Sequence, residues 1–329
     1  MRSAVSPKPS AATGSPVPQA MLDELEQVGA TVRKPIDFPD APAEVDLWMP
    51  PEAVQQVDTI TRAHGFHPFA APGHGDHRFY LGFHSNSWIK LDFKLSPGGR
   101  KRSSRLQAVA RRLPAATRRL GTVVAFVGPD GAGKGTVIEA VEQSIPVAVD
   151  VMILGRGSAR YQQKRARILA STPAARDMQI PRWRRILEPF FVGRMMFRRS
   201  GQLLRVYAAA WRGRIVLCDR HPLEALATNP RRTWLARELE RFVVNRLLPW
   251  PDRVVLLDAP GEVMFARKGE HSAEILETWR QGYAAALSGP HRRTVVVRTD
   301  GAAQDSIAAA SSVVWEALAE RRRWPGLAR

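Results

Sequence analysis

Hydrophobic positions in the second half of the chain form short continuous runs separated by longer amphipathic segments. Five runs are rich in Val, Ile and Leu, at 122–128, 147–154, 214–219, 253–258 and 294–299. Between two of them, residues 232–248 place one apolar face at helical spacing, formed by Leu235, Leu239, Phe242 and Val243. Continuous apolar strands that alternate with helices are typical of a parallel sheet covered on both faces. The pattern predicts an α/β domain with a five-stranded parallel sheet over residues 121–320.

The first part of the chain has a different pattern. Residues 20–95 contain short elements in mixed order, namely a helix near 20–28, a strand at 44–49, a helix over 51–64, and strands at 77–83 and 87–94. Such a mixture, without the regular strand–helix alternation, favours a small α+β domain. A length of 329 residues is also enough for two domains, each with its own core.

Three polar or basic stretches mark the domain boundaries. Residues 1–19 are rich in Pro and Ser and lack the apolar core of a signal peptide, so we expect a disordered leader. Residues 96–120 carry eight basic residues and no acid, which is typical of a linker. Residues 321–329 form a short basic tail.

Composition limits the class of partner without choosing one. The formal net charge of +18 favours polyanions, and nucleotides, polyphosphate, nucleic acid and anionic lipid all qualify. No run approaches the roughly 18 apolar residues of a membrane span, so no transmembrane segment is predicted. The single cysteine, Cys218, lies in an apolar run, which predicts a buried thiol in a cytoplasmic protein. The oligomeric state is left open, a homodimer included.

A basic and aromatic region precedes the third strand, over residues 182–213. Four of its apolar residues recur at helical spacing, namely Phe197, Leu204, Ala208 and Trp211. We interpret this stripe as the core-facing side of a long helix rather than as a nucleic-acid or membrane surface. Upstream, Arg156 and Arg160 are candidates for binding an acceptor anion, with simple solvation as the alternative.

A glycine-rich loop with the sequence GPDGAGKGT follows the first strand of the larger domain and opens a helix. Its candidate nucleotide-binding residues are Gly128, Asp130, Gly131, Ala132, Gly133, Lys134, Gly135 and Thr136. Glycines let backbone N–H groups approach phosphate oxygens closely, and Lys134 can reach the β and γ phosphates of ATP. Gly135 replaces the Ser or Thr that holds Mg²⁺ in such loops. The metal would then be held mainly by phosphates, water, Thr136 and a distant acid.

These residues resemble the thymidylate kinase family of nucleoside monophosphate kinases. In that family the acid at the position of Asp130 faces the acceptor sugar, although the GKGT ending is closer to adenylate kinases and to the second family of polyphosphate kinases. Asp219, Arg220 and His221, at the end of the third strand, are similar to the family's Asp-Arg-Tyr/His signature. The resemblance implies that Asp219 organises Mg²⁺ and that Arg220 clamps the acceptor phosphate.

A third match runs from residue 251 to residue 283 and is similar to the family's fourth strand, lid and following helix. The resemblance makes Arg267 and Lys268 lid candidates over the γ phosphate, and it places Arg280 and Tyr283 on the acceptor side. It also implies that Asp300, after the last strand, lies near the adenine. We therefore expect an ATP- and Mg²⁺-dependent phosphotransferase acting on a nucleotide such as dTMP. The alternatives are a polyphosphate-linked kinase and a non-catalytic ATP-binding regulator, because residues 155–213 contain no motif for thymine recognition.

Three acids in the smaller domain resemble the acidic triad of minimal nucleotidyltransferases: Glu44, Asp46 and Asp92. Alternate residues of a strand share a face, so Glu44 and Asp46 would point the same way, as two-metal chemistry requires. The Gly-Ser turn of that family is missing, with only Gly29–Ala30 near its place, so a degenerate domain is the alternative. Histidines between 64 and 84 show no zinc spacing, and we assign them no metal.

Overall fold

The computed structural model describes residues 17–33, 43–69, 77–95, 121–154, 182–227, 233–269, 271–287 and 293–322, without the side chains of 182–185 and 322. The chain divides into two compact units, Met1–Val109 with Ser144–Val147, and Ala110–Gln143 with Ala148–Arg329. The predicted linker, and most of the predicted leader and tail, lie outside the described residues.

The N-terminal unit contains two helices and a five-stranded sheet. Its elements are α1 (Gln19–Gln27), β1 (Thr31–Val32), β2 (Ala43–Met49), a 3-10 turn (Pro51–Ala53), α2 (Val54–Ala63), β3 (His67–Phe69), β4 (His77–His84) and β5 (Ser87–Leu95). The strand order is β1-β2-β5-β4-β3, and β2 runs parallel to β5 while the other pairs are antiparallel. This confirms the small α+β domain, with two short edge strands that the sequence pattern did not predict.

Alternating side chains give this sheet one apolar face. In β2, Val45 and Leu47 are buried together with Leu91 and Phe93 of β5. Met21 of α1 belongs to the same core. Because side chains alternate along a strand, the intervening polar residues lie on the opposite face of the sheet.

The C-terminal unit alternates strands and helices. Its elements are β6 (Thr122–Val127), α3 (Lys134–Ser144), β7 (Val149–Ile153), α4 (Arg182–Trp211), β8 (Ile215–Asp219), a 3-10 helix (Pro222–Leu226), α5 (Trp234–Phe242), a π-helix (Val243–Leu247), β9 (Arg253–Asp258), α6 (Gly261–Lys268), α7 (Ala273–Leu287), β10 (Thr294–Arg298) and α8 (Ala303–Arg322). All strand pairs are parallel, in the order β10-β9-β6-β8-β7. The predicted five-stranded parallel sheet is confirmed.

Strand β6 is central, and all six of its residues are buried. Phe126 lies opposite Asp219 of β8, and Val127 lies opposite Leu256 of β9. The loops that follow these three parallel strands therefore emerge at one edge, where open α/β sheets bind their ligands. Cys218 of β8 is fully buried, which raises the pKa of its thiol to about 12 and confirms the predicted core cysteine.

The predicted core face of α4 is wrong. Phe197 and Leu204 are 83% and 72% exposed, and Ala208 and Trp211 are exposed as well. The helix instead buries a second set of apolar residues against the sheet, formed by Val192, Met196, Leu203, Val206, Ala209 and Ala210. A long helix with two apolar stripes cannot be oriented by periodicity alone, and here the stripe with the smaller side chains fits beside the sheet.

The predicted face of residues 232–248 is correct only in part. Leu239 and Val243 pack against the core as predicted, whereas Leu235 and Phe242 are 56% and 57% exposed. The segment is also not one α-helix, because α5 continues as the π-helix Val243–Leu247. Among the described helices, none is both long and apolar enough to cross a membrane.

Candidate functional site

The glycine-rich loop connects β6 to α3 and requires glycine at two tightly packed positions. At Gly128 a Cβ would lie 2.7 Å from the carbonyl oxygen of Leu257, and at Gly131 it would lie 2.6 Å from that of Met264. Both residues have positive φ, 150° and 90°, which other residues rarely adopt. The loop is thereby packed against the end of β9 and the middle of α6, with its backbone at the N-terminus of α3.

Lys134 is the first residue of α3 and is buried, with 7% of its surface exposed. Its Nζ donates hydrogen bonds of 2.7 Å to the carbonyl oxygens of Gly128 and Pro129. Burial lowers the pKa of Lys134, while the nearby carboxylates of Glu224 and Asp130 oppose that shift. The arrangement holds a cation inside a loop at a helix N-terminus, which is a site suited to phosphate.

Arg220 and Asp130 join the loop after β8 to the glycine-rich loop. The Nη2 of Arg220 donates to Oδ1 of Asp130, and Arg220 has a left-handed backbone with φ of 61°. Burial alone would raise the pKa of Asp130, but the charge and hydrogen bond of Arg220 lower it below its usual range. The pKa of Arg220 is raised in turn, because Asp130 and Glu224 outweigh the effect of its burial.

Two carboxylates beside these cations each have a buried oxygen that accepts no hydrogen bond from any described residue: Oδ1 of Asp219 and Oε1 of Glu224. Asp219 ends β8, and Glu224 lies on the 3-10 helix that follows. Burial raises the pKa of Glu224 to about 7. Carboxylate oxygens left without a partner beside a phosphate loop fit a hydrated Mg²⁺ ion. Glu224 was not predicted, and its only signal in the sequence is an acid inside an apolar segment shortly after Asp219.

Gly135 and Thr136 are exposed in the first turn of α3. A Cβ added at Gly135 would meet no heavy atom within 4 Å. Packing therefore does not require glycine there, in contrast to Gly128 and Gly131. The hydroxyl of Thr136 lies in this first turn, and its role as a metal ligand stays a prediction.

Arg267 is in the last turn of α6 and is held on the phosphate loop. Its guanidinium donates to the carbonyl oxygen of Thr299 and, over 3.5 Å, to that of Gly131. Thr299 is buried and its hydroxyl donates to the carbonyl oxygen of Ala132 at 3.1 Å. Asp300 is next to this contact but is exposed and paired with Arg298. The structure thus places Arg267 and Asp300 beside the loop.

Arg280 belongs to an ion-pair network at the end of β9. Its Nη1 lies 3.2 Å from both carboxylate oxygens of Asp258, and its Nη2 lies 2.6 Å from Oε1 of Glu277. Tyr283 packs against the hydrophobic core. These contacts give both residues structural roles and do not support the predicted contact with an acceptor. Arg156 and Arg160 lie outside the described residues.

The acidic triad of the N-terminal unit is assembled as predicted. Glu44, Asp46 and Asp92 each offer an oxygen within 4.8 Å of the others, and Asp46 lies opposite Asp92 in the β2–β5 register. Two of the carboxylates have basic partners: Lys90 Nζ is 2.6 Å from Glu44, and His77 Nδ1 is 2.7 Å from Asp92. These partners would compete with a metal ion, as expected for a degenerate domain.

Comparison with known proteins supports the resemblance over part of the chain. No family model matches the chain. A protein named thymidylate kinase, from Thermomicrobium roseum, is 36% identical over 113 residues, which cover 29% of this chain and 51% of that protein. The chain therefore spans about half the length of the curated relative that it matches. The solved structure of a thymidylate kinase from Ehrlichia chaffeensis is 17% identical to this chain, with a TM-score of 0.37. The match covers 57% of this chain and 95% of the Ehrlichia chaffeensis chain. This likeness is too remote to support a conclusion about function. The chain contains a thymidylate kinase-like segment.

Proposed function

We propose that the C-terminal unit is an ATP-dependent phosphotransferase that phosphorylates a nucleotide, with dTMP as the first candidate acceptor. The observation that carries this proposal is the position of Lys134 at the start of α3, inside a loop in which packing requires glycine at residues 128 and 131. The thymidylate kinase-like segment supports the acceptor class. The reaction would take place in the cytoplasm, where ATP is available.

Lys134 would bind the donor phosphates. Its present partners are the carbonyl oxygens of Gly128 and Pro129, which a bound phosphate would replace as acceptors. The N–H groups of the loop and the first turn of α3 would bind the remaining phosphate oxygens. Arg267, held beside Gly131 and Thr299, would add a second cation next to the nucleotide, and Asp300 would lie near its base.

Arg220 would bind the acceptor phosphate and align it. A guanidinium presents two parallel donors to phosphate, and its pairing with Asp130 keeps the side chain positioned before the acceptor arrives. In the reaction, an acceptor phosphate oxygen bonds to the γ phosphorus while the bond from that phosphorus to the β–γ bridging oxygen breaks, and ADP leaves. Positioning and charge stabilisation are the main work of the protein in such transfers.

Asp219, through bound water, and Thr136 would hold Mg²⁺. When bound, Mg²⁺ neutralises charge on the β and γ phosphates. The unpartnered oxygen of Asp219 supports this assignment. Because Gly135 supplies no side-chain ligand, we expect weaker Mg²⁺ binding than in loops with Ser or Thr at that position.

Measuring ADP production against nucleoside monophosphates, nucleosides and polyphosphate tests the proposal. We expect turnover with a nucleoside monophosphate, and Lys134→Ala should reduce kcat/KM by about 10²–10³-fold, as losing a charge-stabilising donor does. Glu142→Gln changes an exposed residue on the same helix and should leave turnover unchanged. ADP production with polyphosphate, and with none of the nucleotides or nucleosides, would favour the polyphosphate-linked kinase. The GKGT ending is the feature that supports this alternative. ATP binding that depends on Lys134, without turnover on any acceptor, would instead indicate a regulator.

A further inference from the structure

The outer face of α4 carries a line of exposed apolar side chains, here called the α4 stripe. It consists of Ile186, Phe190, Phe197, Leu204 and Trp211, which are 79%, 70%, 83%, 72% and 47% exposed. Spacings of four and seven residues place them on one side of the helix. Large contiguous apolar surfaces are rare on monomeric proteins and mark sites of interaction.

An apolar groove continues this surface toward the π-helix. The groove has a volume of about 390 Å³ and lies between α4 and residues 243–249. Phe197 and Leu204 form part of its wall, and Leu247, which is 64% exposed, lies on the other side. The stripe and the groove together form one apolar face that is larger than the helix surface alone.

Four arginines recur along the adjoining flank of α4 and just beyond its end, at Arg194, Arg198, Arg205 and Arg212. All four side chains are exposed, and none of these guanidinium groups forms an ion pair or hydrogen bond with any residue that the structure describes. The single acid in the sequence of α4, Glu188, accepts a hydrogen bond from the backbone N–H of Thr233 at 2.9 Å. The apolar face is thus bordered by uncompensated positive charge.

We propose that the α4 stripe and its flanking arginines bind the surface of an anionic membrane, with the aromatic and aliphatic side chains inserted at the headgroup boundary. A helix with a basic flank and exposed Phe, Leu and Trp is the type that lies in a lipid interface. The charge pattern argues against a second copy of the chain, because pairing the same helices about a two-fold axis brings like charges together. Aliphatic Ile186 and Leu204 fit acyl chains better than they fit stacked bases.

Vesicle co-sedimentation of the full chain tests the proposal, using phosphatidylcholine vesicles with and without phosphatidylglycerol. We expect binding only to the anionic vesicles, weakening as salt is added because charge attraction is screened. Arg198→Gln with Arg205→Gln should weaken binding by about 25-fold, since each arginine near an anionic surface contributes about fivefold. Phe197→Gln with Leu204→Gln should weaken it at least about tenfold, through lost burial of apolar surface.

Two controls test whether vesicle binding depends on this surface rather than on overall charge, and whether the variants remain folded. Arg33→Gln with Arg78→Gln removes the same charge from exposed positions of the N-terminal unit and should leave most of the binding intact. ADP production by all variants should match the parent protein, because none of the changed residues belongs to the phosphate site. No binding to anionic vesicles, or equal loss in the Arg33/Arg78 control, would overturn the proposal. So would a dimer in solution that Phe197→Gln with Leu204→Gln dissociates, because a second copy would then cover the stripe.

Discussion

Arg220 and Asp130 form an ion pair that connects the loops following two neighbouring strands, β8 and β6. Arg220 has a left-handed backbone, a conformation that costs energy for a residue with a side chain. The pair holds the guanidinium at the carboxyl edge of the sheet, beside Lys134. The same contact therefore positions the residue proposed to bind the acceptor and ties the glycine-rich loop to β8.

Separating the two partners should reveal this coupling. Asp130→Ala, Arg220→Ala and the double variant should show a coupling of about 1 kcal/mol in unfolding free energy, modest because the two side chains are 25% and 33% exposed. Arg220→Lys should keep the charge yet raise KM for the acceptor about tenfold or more, since lysine cannot form the paired hydrogen bonds. Urea titrations and initial rates measure the two effects. A KM for the acceptor that is unchanged in Arg220→Lys would remove Arg220 from the acceptor site.

Gly135 provides a gain-of-function prediction for the metal site. Because a side chain there meets no heavy atom within 4 Å, Gly135→Ser should fold normally and supply the missing hydroxyl ligand. We expect the Mg²⁺ concentration that gives half-maximal activity to fall by about tenfold, which corresponds to about 1.4 kcal/mol. Magnesium titration of ADP production measures it.

Gly135→Ala is the matched control, because it adds the Cβ without the hydroxyl. It should gain about 0.5–1 kcal/mol of helix stability and leave the Mg²⁺ requirement unchanged. Gly131→Ala should instead disrupt the loop, since its Cβ would lie 2.6 Å from a backbone oxygen. Equal effects of Ser and Ala at residue 135 would show that the hydroxyl does not contact the metal.

Asp252 connects the start of the central strand to the last helix. Its carboxylate accepts hydrogen bonds from Val123 N at 2.8 Å, Thr122 Oγ1 at 3.1 Å and Arg321 Nε at 2.8 Å. Asp252→Ala should cost about 3 kcal/mol of unfolding free energy, because it leaves the buried Val123 N–H and Thr122 hydroxyl without their acceptor. Arg321→Ala should cost less, since Arg321 is 40% exposed and Asp252 keeps two other donors. Urea denaturation compares the two, and an equal cost for both would contradict this assignment.

Local patterns explain which parts of the fold were predictable. The strands of the larger unit were found because buried parallel strands are apolar on both faces. Such strands can be recognised in the sequence without knowing which strands pair with them. The glycine-rich loop was found because its residues are contiguous. The thymidylate kinase-like signature then indicated Asp219, which ends a predicted strand, and Arg220, which follows it.

Features that depend on distant packing were missed or misassigned. Asp252 and Arg321 are 69 residues apart, and neither position is distinctive in sequence. The stripe that contains Phe197 and the buried face that contains Leu203 have the same helical period, so only the sheet decides which one is covered. Glu224 escaped notice because its burial depends on how the 3-10 helix folds back beside Lys134.

Glu224 should make the stability of the C-terminal unit depend on pH. Burial raises its pKa from 4.5 to about 7, only partly opposed by the charges of Lys134 and Arg220. The folded state therefore holds a proton more tightly than the unfolded chain does. The contribution of protonated Glu224 to the free energy of unfolding is complete below pH 4.5. It is lost as pH rises to about 7, which lowers the free energy of unfolding by an amount on the order of 3 kcal/mol.

Glu224→Gln should abolish this dependence, because the amide is neutral at every pH and nearly isosteric. Near pH 4.5 the variant and the parent protein should be about equally stable, and above pH 7 the variant should be more stable, approaching the same order of 3 kcal/mol. Urea unfolding of both proteins at several pH values gives the difference between their free energies of unfolding. All other groups titrate equally in the two proteins, so their contributions cancel in this difference. Glu142→Gln, an exposed change on α3, should give a difference that does not vary with pH. The prediction fails if the difference in unfolding free energy between Glu224→Gln and the parent protein is equally independent of pH. Glu224 would then be ionised in the folded protein, with a cation or solvent as the partner of its carboxylate.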